Sequence, residues 1–198
     1  MNRKIRTIVA SFIAASFLSF SGVSAYAQDP ITIPPGKFLV DKSDVLTPSE
    51  EKTLESSMKE LTKKTGQSLY VVYVDEFSNP NDAQKWLAAT ADLKKLGSTD
   101  SMLVIATEQR SAQLESHSGG DIASYDSQIF AKYTKPALSD TDWLGAGIAT
   151  VQGVKDAAEG KLAVAAKAPS KNLSKNTEYS TTVSSPSYSF EGFGRSIL

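Results

Sequence analysis

The sequence predicts a single α/β domain in which helices pack on a small mixed sheet, in two or three layers. Two stretches, Leu69–Val74 and Met102–Ala106, are almost continuously apolar, which is typical of strands covered on both faces. A helical pattern lies between them, so we expect a parallel pair joined by a right-handed crossover. Ser111–His117 follows a tight turn at 108–110 and alternates apolar and polar residues, which predicts an antiparallel neighbour.

The first helix is predicted from its boundary residues. Thr47 is a suitable N-cap, Pro48 suits the first helical position, and Glu50 completes the pattern of a capping box. Gly66 is expected to end the helix. The apolar residues between these boundaries recur at helical spacing: Leu54, Met58 and Leu61.

Three more helices are predicted downstream. The second begins at 79–82 and is closed by Gly97, the third is stopped near Pro136, and the fourth runs from Trp143 to a cap near Gly160. The face of the second helix that should be buried consists of Ala83, Trp86, Leu87, Thr90 and Leu93.

The two ends of the chain differ from this domain. Residues 1–27 have a cationic start, an apolar run at 8–20 and a small residue on either side of Tyr26, which predicts a signal peptide cleaved before Gln28. The run is shorter than the roughly 20 residues that a membrane-spanning helix needs. Residues 28–37, with three prolines, predict an extended lead-in, and 38–163 form the α/β domain, opening on a short strand at 38–41. The Ser/Thr-rich tail 164–198 is expected to be disordered.

Charge and composition exclude several classes of function. The signal carries three cationic residues and no acids, so the chain from Gln28 has 18 Lys and Arg against 22 Asp and Glu, a net charge of −4. No basic stripe with interleaved aromatic residues suggests nucleic-acid binding. The chain has no cysteine, which excludes disulfides, thiolate catalysis and cysteine zinc sites. We expect a secreted or envelope protein without a transmembrane helix after signal cleavage.

Acidic residues collect at both ends of the predicted sheet. At one end, Asp100, Asp121 and Asp126 lie near His117 and the Gly119–Gly120 loop, and such oxygen ligands suit Ca²⁺ or Mg²⁺.

At the other end, Asp75, Glu108 and Arg110 follow strands, where ligands of open α/β sheets bind. Solvated acids at strand ends explain both groups more simply. His117 is the only histidine, and the chain lacks the G-x-S-x-G pattern of a serine hydrolase.

Several segments, which follow one another in the same order and at similar spacing, resemble the TPM-domain family, in particular its actinobacterial, secreted or membrane-tethered branch. The resemblance covers about 38–160 and rests on six segments. These are Val45–Thr47, Leu69–Phe77, Trp86–Ala91 with Leu96–Asp100, Met102–Arg110, and Pro136–Ile148.

This resemblance implies an α/β/α sandwich in an exported protein. It also implies either an accessory role beside membrane complexes or an acid phosphatase activity with metal-binding acids. The family's Asp of an Asp-Asn-Gly stretch corresponds to Asp100, and its Arg after the hairpin turn to Arg110. Here Ser101–Met102 replace the Asn-Gly, and the Asp at the start of the third helix has only Asp121 and Asp126 nearby.

The favoured hypothesis is an interaction module with an envelope or membrane protein as partner, with no cofactor. The alternative is a phosphatase that depends on a divalent metal such as Ca²⁺ or Mg²⁺. The two differ in what Asp100 does: an enzyme should lose activity when it is replaced by alanine, whereas an interaction module should tolerate the change.

Overall fold

The computed structural model describes residues 27–163 and 188–189. All of the expected signal peptide except Ala27 lies outside the described residues. The same holds for all of the expected disordered tail except Tyr188 and Ser189.

The central sheet is mixed and has five strands in the described part of the chain, in the order β2-β3-β5-β6-β7. Strands β2, β3 and β5 are parallel, and β6 and β7 continue the sheet antiparallel, as predicted for the crossover pair and its hairpin neighbour. A separate parallel pair joins β1 to β4. The strands are β1 (Ala27–Gln28), β2 (Leu39–Asp41), β3 (Ser68–Val74), β4 (Glu76–Phe77), β5 (Asp100–Ala106), β6 (Ser111–Ser116) and β7 (Tyr188–Ser189).

Helices cover both faces of the sheet, which gives three layers. Helices α1 and α5 and the segment between β6 and α5 share one apolar core with the sheet, whereas α2 shares a second core with its other face. The mixed α/β fold is therefore confirmed. The helices are α1 (Pro48–Thr65), α2 (Ala83–Lys94), α3 (Asp126–Ile129), α4 (Lys135–Ser139) and α5 (Trp143–Ala158).

Local sequence signals set the boundaries of α1 as predicted. The Thr47 hydroxyl accepts a hydrogen bond from the Glu50 amide, and the Glu50 carboxylate accepts one from the Thr47 amide, which completes the capping box. Gly66 ends the helix with a positive φ of 75°, a conformation that glycine adopts without a steric cost. Leu54, Met58 and Leu61 are buried.

Two predictions for α2 were wrong. Leu93 is 51% exposed, because the face that packs on the sheet includes Ala83, Trp86, Leu87 and Thr90 but not the position one turn further. Lys95, rather than Gly97, ends the helix in the left-handed conformation, with its amide donating to the Ala91 carbonyl.

The prediction that Pro136 stops the third helix was also wrong. A 3₁₀ turn at Ala123–Tyr125 leads into α3, a π-helical turn at Phe130–Thr134 follows, and α4 continues through Pro136. Pro136 lies in the first turn of α4, where a missing amide hydrogen costs little. The buried hydroxyls of Thr134 and Thr150 lie 2.8 Å apart and join the π-helical turn to α5.

The lead-in is anchored to the domain at its start. The Gln28 carbonyl accepts hydrogen bonds from the Ser78 amide at 2.9 Å and from the indole Nε1 of Trp86 at 2.7 Å. Ile33, further along, is buried in the core beneath α2. The predicted extended segment is therefore part of the packed structure.

Candidate functional site

Asp100 uses one carboxylate oxygen to shape its own loop. Its Oδ2 accepts a hydrogen bond from the Gly97 amide at 2.8 Å, and its carbonyl accepts one from the His117 amide at 3.0 Å. These two bonds close the loop before β5 and tie it to the end of β6. Asp100, the residue that the family resemblance marks, therefore connects two loops through its hydrogen bonds.

The Asp126 side chain contacts Ser116, the last residue of β6. The side chain is only 4% exposed, and its two oxygens accept hydrogen bonds from the Ser116 amide at 2.7 Å and the Ser116 hydroxyl at 2.6 Å. The Ser116 hydroxyl also lies 2.8 Å from that of Ser101 on β5. Burial raises the pKa of Asp126 to about 6, against the opposing effect of the Ser116 hydrogen bonds, and the nearby charge of Glu115 raises it further.

Asp121 lies on the exposed side of the loop between β6 and the 3₁₀ turn. This loop is packed tightly, because a Cβ on Gly120 would lie 2.4 Å from the Ser98 carbonyl oxygen. Within the described residues, no three histidine, aspartate or glutamate side chains are arranged to hold a metal ion. A metal site formed by Asp100, Asp121 and Asp126 stays a prediction.

The opposite end of the sheet brings together Asp75 and the turn at 108–110. The Asp75 carbonyl accepts hydrogen bonds from the amides of Glu108 at 3.0 Å and Gln109 at 3.3 Å. The Gln109 side chain accepts from the Phe77 amide and donates to the Asn81 side chain. Arg110 ends the turn with a positive φ of 53°. These hydrogen bonds are those of a folded turn, and a ligand role for Asp75, Glu108 and Arg110 stays a prediction.

A groove that the sequence did not reveal lies between α2 and β6. Its volume is about 410 Å³, within the range of small-ligand and side-chain pockets. One wall is α2 and the segment after it, and the other is the end of β6. The lining residues are Leu87, Ala88, Ala91, Asp92, Lys95, Leu96, Glu115, Ser116, His117 and Ser118.

Buried polar oxygens without a hydrogen-bond partner lie along the α2–β6 contact. Glu115 Oε2 in the groove wall, Gln113 Oε1 two residues earlier on the same strand, and Thr90 Oγ1 on α2 have none among the described residues. Gln113 and Thr90 are fully buried, and Glu115 is partly buried, which raises the pKa of its carboxyl. Buried polar atoms are nearly always paired, so these three oxygens need an explanation.

The alternation of apolar and polar residues in β6 is the sequence signal that could have indicated this groove. Ala112 and Leu114 were expected on one face and Gln113 and Glu115 on the other, and the first pair does join the core beneath α1 and α5. The strand pairing places Glu115 beside Met102, on the face that α2 covers. What the sequence could not tell is that α2 would cover these polar residues.

The comparisons with known proteins identify a family for this chain. A protein-family model described as the TPM domain matches residues 39–157. Two UPF0603 proteins of Mycobacterium tuberculosis, from strains CDC 1551 and H37Rv, are each 30% identical to this chain over 149 residues. The match covers 74% of this chain but 22% of each relative, so the chain spans about a fifth of their length.

The fold is similar to two N-terminal domains whose structures were solved by NMR in solution. The domain of the cg2496 protein from Corynebacterium glutamicum has a TM-score of 0.55 at 15% identity, covering 78% of this chain and 98% of that one. The domain of a protein from P. gingivalis has the same score and identity, with coverage of 63% and 83%. At this identity the likeness concerns the fold alone.

Proposed function

The chain belongs to the TPM domain family, as the resemblance of its ordered segments predicted, and from this premise we propose that it acts outside the cytoplasm as an interaction module of the cell envelope. Its α/β domain receives part of a partner protein in the groove between α2 and β6.

The observation that carries the proposal is the groove itself. It combines an apolar α2 wall, which includes Leu87 and Ala91, with a polar β6 wall that ends at His117. A recess with a few polar groups in an apolar lining is typical of a recognition site.

The extracytoplasmic location rests on residues 1–27, whose pattern is that of a secretory signal. The acidic net charge of the chain after the signal gives no reason to expect nucleic acid as a partner. In the described part of the chain, no helix combines the length and the hydrophobicity needed to cross a bilayer.

The second candidate function is a metal-dependent phosphatase. The name of the matching family model carries the word phosphatase. The resemblance in sequence also implies that Asp100 corresponds to an acidic position of the family. The contacts of the acids favour it less. Asp126 directs both oxygens to Ser116 and Asp100 directs one to Gly97, which leaves few free ligand atoms for a cation.

Titration with divalent cations separates the two functions. We expect amide resonances near Asp100, Asp121 and Asp126 to show no localised shift with Ca²⁺, Mg²⁺ or Mn²⁺ below about 1 mM, the weak end of calcium affinities in extracellular modules. The measurement is an NMR titration of the isotope-labelled protein, with Asp100→Ala as the comparison. Localised shifts at lower concentrations that vanish in Asp100→Ala would instead support the phosphatase.

Site-specific photo-crosslinking tests the interaction module. A photoreactive benzoylphenylalanine at Ala88, which is exposed and lines the groove, should give one discrete adduct with an envelope protein in cells that export the chain. The mass of this chain in the adduct should correspond to a start at Gln28. The matched control places the same residue at Thr53, exposed on α1 across the sheet. Equal adducts from both positions, or none from Ala88, would contradict the proposal.

A further inference from the structure

The unpaired oxygens beside the groove share one chemical property, which is that all three can accept a hydrogen bond. A carboxylate oxygen and an amide oxygen can only accept, and a threonine hydroxyl can do either. Gln113 and Glu115 point from the same face of β6, and residues two apart on a strand are separated by roughly 7 Å. Of the three residues only Glu115 lines the groove, so a ligand that matches this chemistry there is a hydrogen-bond donor.

We propose that the groove between α2 and β6 binds the guanidinium group of an arginine side chain from the partner protein, with Glu115 as its anionic anchor. This inference rests on the proposed function and names the chemistry of the partner. The guanidinium donates to the carboxylate of Glu115, which lines the groove and whose Oε2 has no donor among the described residues. A cation beside a partly buried carboxylate removes the cost of leaving that charge unpaired.

The walls of the groove suit the rest of an arginine side chain. The aliphatic stem packs along Leu87, Ala91 and Leu96, as the stems of long cationic side chains do on apolar surfaces. At the rim, the exposed Asp92 and Lys95 carry opposite charges and largely cancel. The dominant charge inside the groove is then that of Glu115.

Three other occupants fit less well. An anion would face the carboxylate of Glu115. A metal ion would need more ligands than Glu115 offers, since the described residues contain no metal-holding group of three acidic or histidine side chains. A lysine ammonium presents three donors from a single point, whereas the flat guanidinium presents five and can reach two acceptors at once.

Binding of short peptides tests the inference on the full chain. The probe is acetyl-Gly-Arg-Gly-amide, and its comparison replaces arginine by citrulline, which keeps the shape and removes the charge. We expect the arginine peptide to shift amide resonances of Ala91, Glu115 and His117, and Glu115→Gln to weaken its binding at least about tenfold. Glu60→Gln makes the same charge change at an exposed site on α1 and should change the affinity less than about twofold.

A second variant keeps the test valid if Glu115→Gln alters the fold. Asp92→Lys reverses the charge of an exposed residue that lines the groove and leaves Glu115 in place, so it should also weaken the binding of the arginine peptide at least about tenfold. Equal binding of the citrulline peptide, unchanged binding to either variant, or shifts centred elsewhere would overturn the inference.

The failures of the two proposals are distinguishable. If the crosslink from Ala88 forms and survives Glu115→Gln, the interaction module stands and the arginine inference falls. If the arginine peptide binds as expected but no partner crosslinks from Ala88, the chemistry of the groove stands and the interaction module falls.

Discussion

Trp86→Ala is expected to destabilise the domain by about 3–5 kcal/mol, the range for removing a large aromatic side chain from a core. Trp86 is fully buried, its ring centroid lies 5.0 Å from that of Phe77, and its indole nitrogen donates to the Gln28 carbonyl. The substitution leaves a cavity between α2 and the sheet and removes that donor. Such a loss is a large part of the total stability of a typical domain. Urea unfolding followed by far-UV circular dichroism measures it.

Two further variants separate the causes of that loss. Trp86→Phe keeps an aromatic ring and removes the N–H donor, so it should cost less than alanine and speed amide exchange at Ser78, whose amide also binds Gln28. Leu93→Ala on the same helix should change stability by less than about 0.5 kcal/mol, because Leu93 is exposed. An equal cost for Leu93→Ala and Trp86→Ala would show that α2 packs differently.

Asp126→Asn is expected to stabilise the protein at pH 7 by up to about 3 kcal/mol, from a shift of about two pKa units at about 1.4 kcal/mol each. The pKa of Asp126 is raised from 3.8 to about 6 in the folded protein. Its contribution to stability is therefore fully present below pH 3.8 and is lost as the pH rises through about 6. The asparagine does not ionise and keeps an oxygen for the Ser116 amide.

The pH dependence is the decisive readout for Asp126. Stabilities of the wild type and Asp126→Asn should differ most at pH 7 and converge towards pH 4, in urea unfolding at matched pH. Comparing the two proteins at each pH removes the effect of the other titrating groups. Asp126→Ala leaves the Ser116 amide and hydroxyl without their acceptor and should be destabilising throughout. A difference that grows as the pH falls would contradict the raised pKa.

The features that the sequence predicted correctly depend on neighbours in the chain. The capping box of α1 involves Thr47 and Glu50, three residues apart, and glycine suits the left-handed turn at Gly66 whatever surrounds it. The runs that form β3 and β5 are almost continuously apolar, so neither face of either strand is polar enough to be left exposed to water. The hairpin turn before β6 was also predicted, because a short connection leaves few alternatives.

The errors occurred where the outcome depended on packing. Leu93 follows the apolar spacing of α2, yet it is exposed in the folded protein. A proline usually marks the end of a helix. Pro136, however, lies in the first turn of α4, which follows the π-helical turn, and a proline is tolerated at that position. Spacing and residue type alone do not contain this information.

By itself, the sequence determined the α/β class, the crossover pair with its antiparallel neighbour, the limits of α1 and the family, since each follows from local pattern or from an ordered set of segments. Only the tertiary structure decided what the acids do. It turned Asp126 towards Ser116, ten residues away, and left Glu115 beside the α2 groove with an unpaired oxygen. The physical reason is that burial and hydrogen-bond partners of a carboxylate are set by the elements packed against it, which lie far away in the chain.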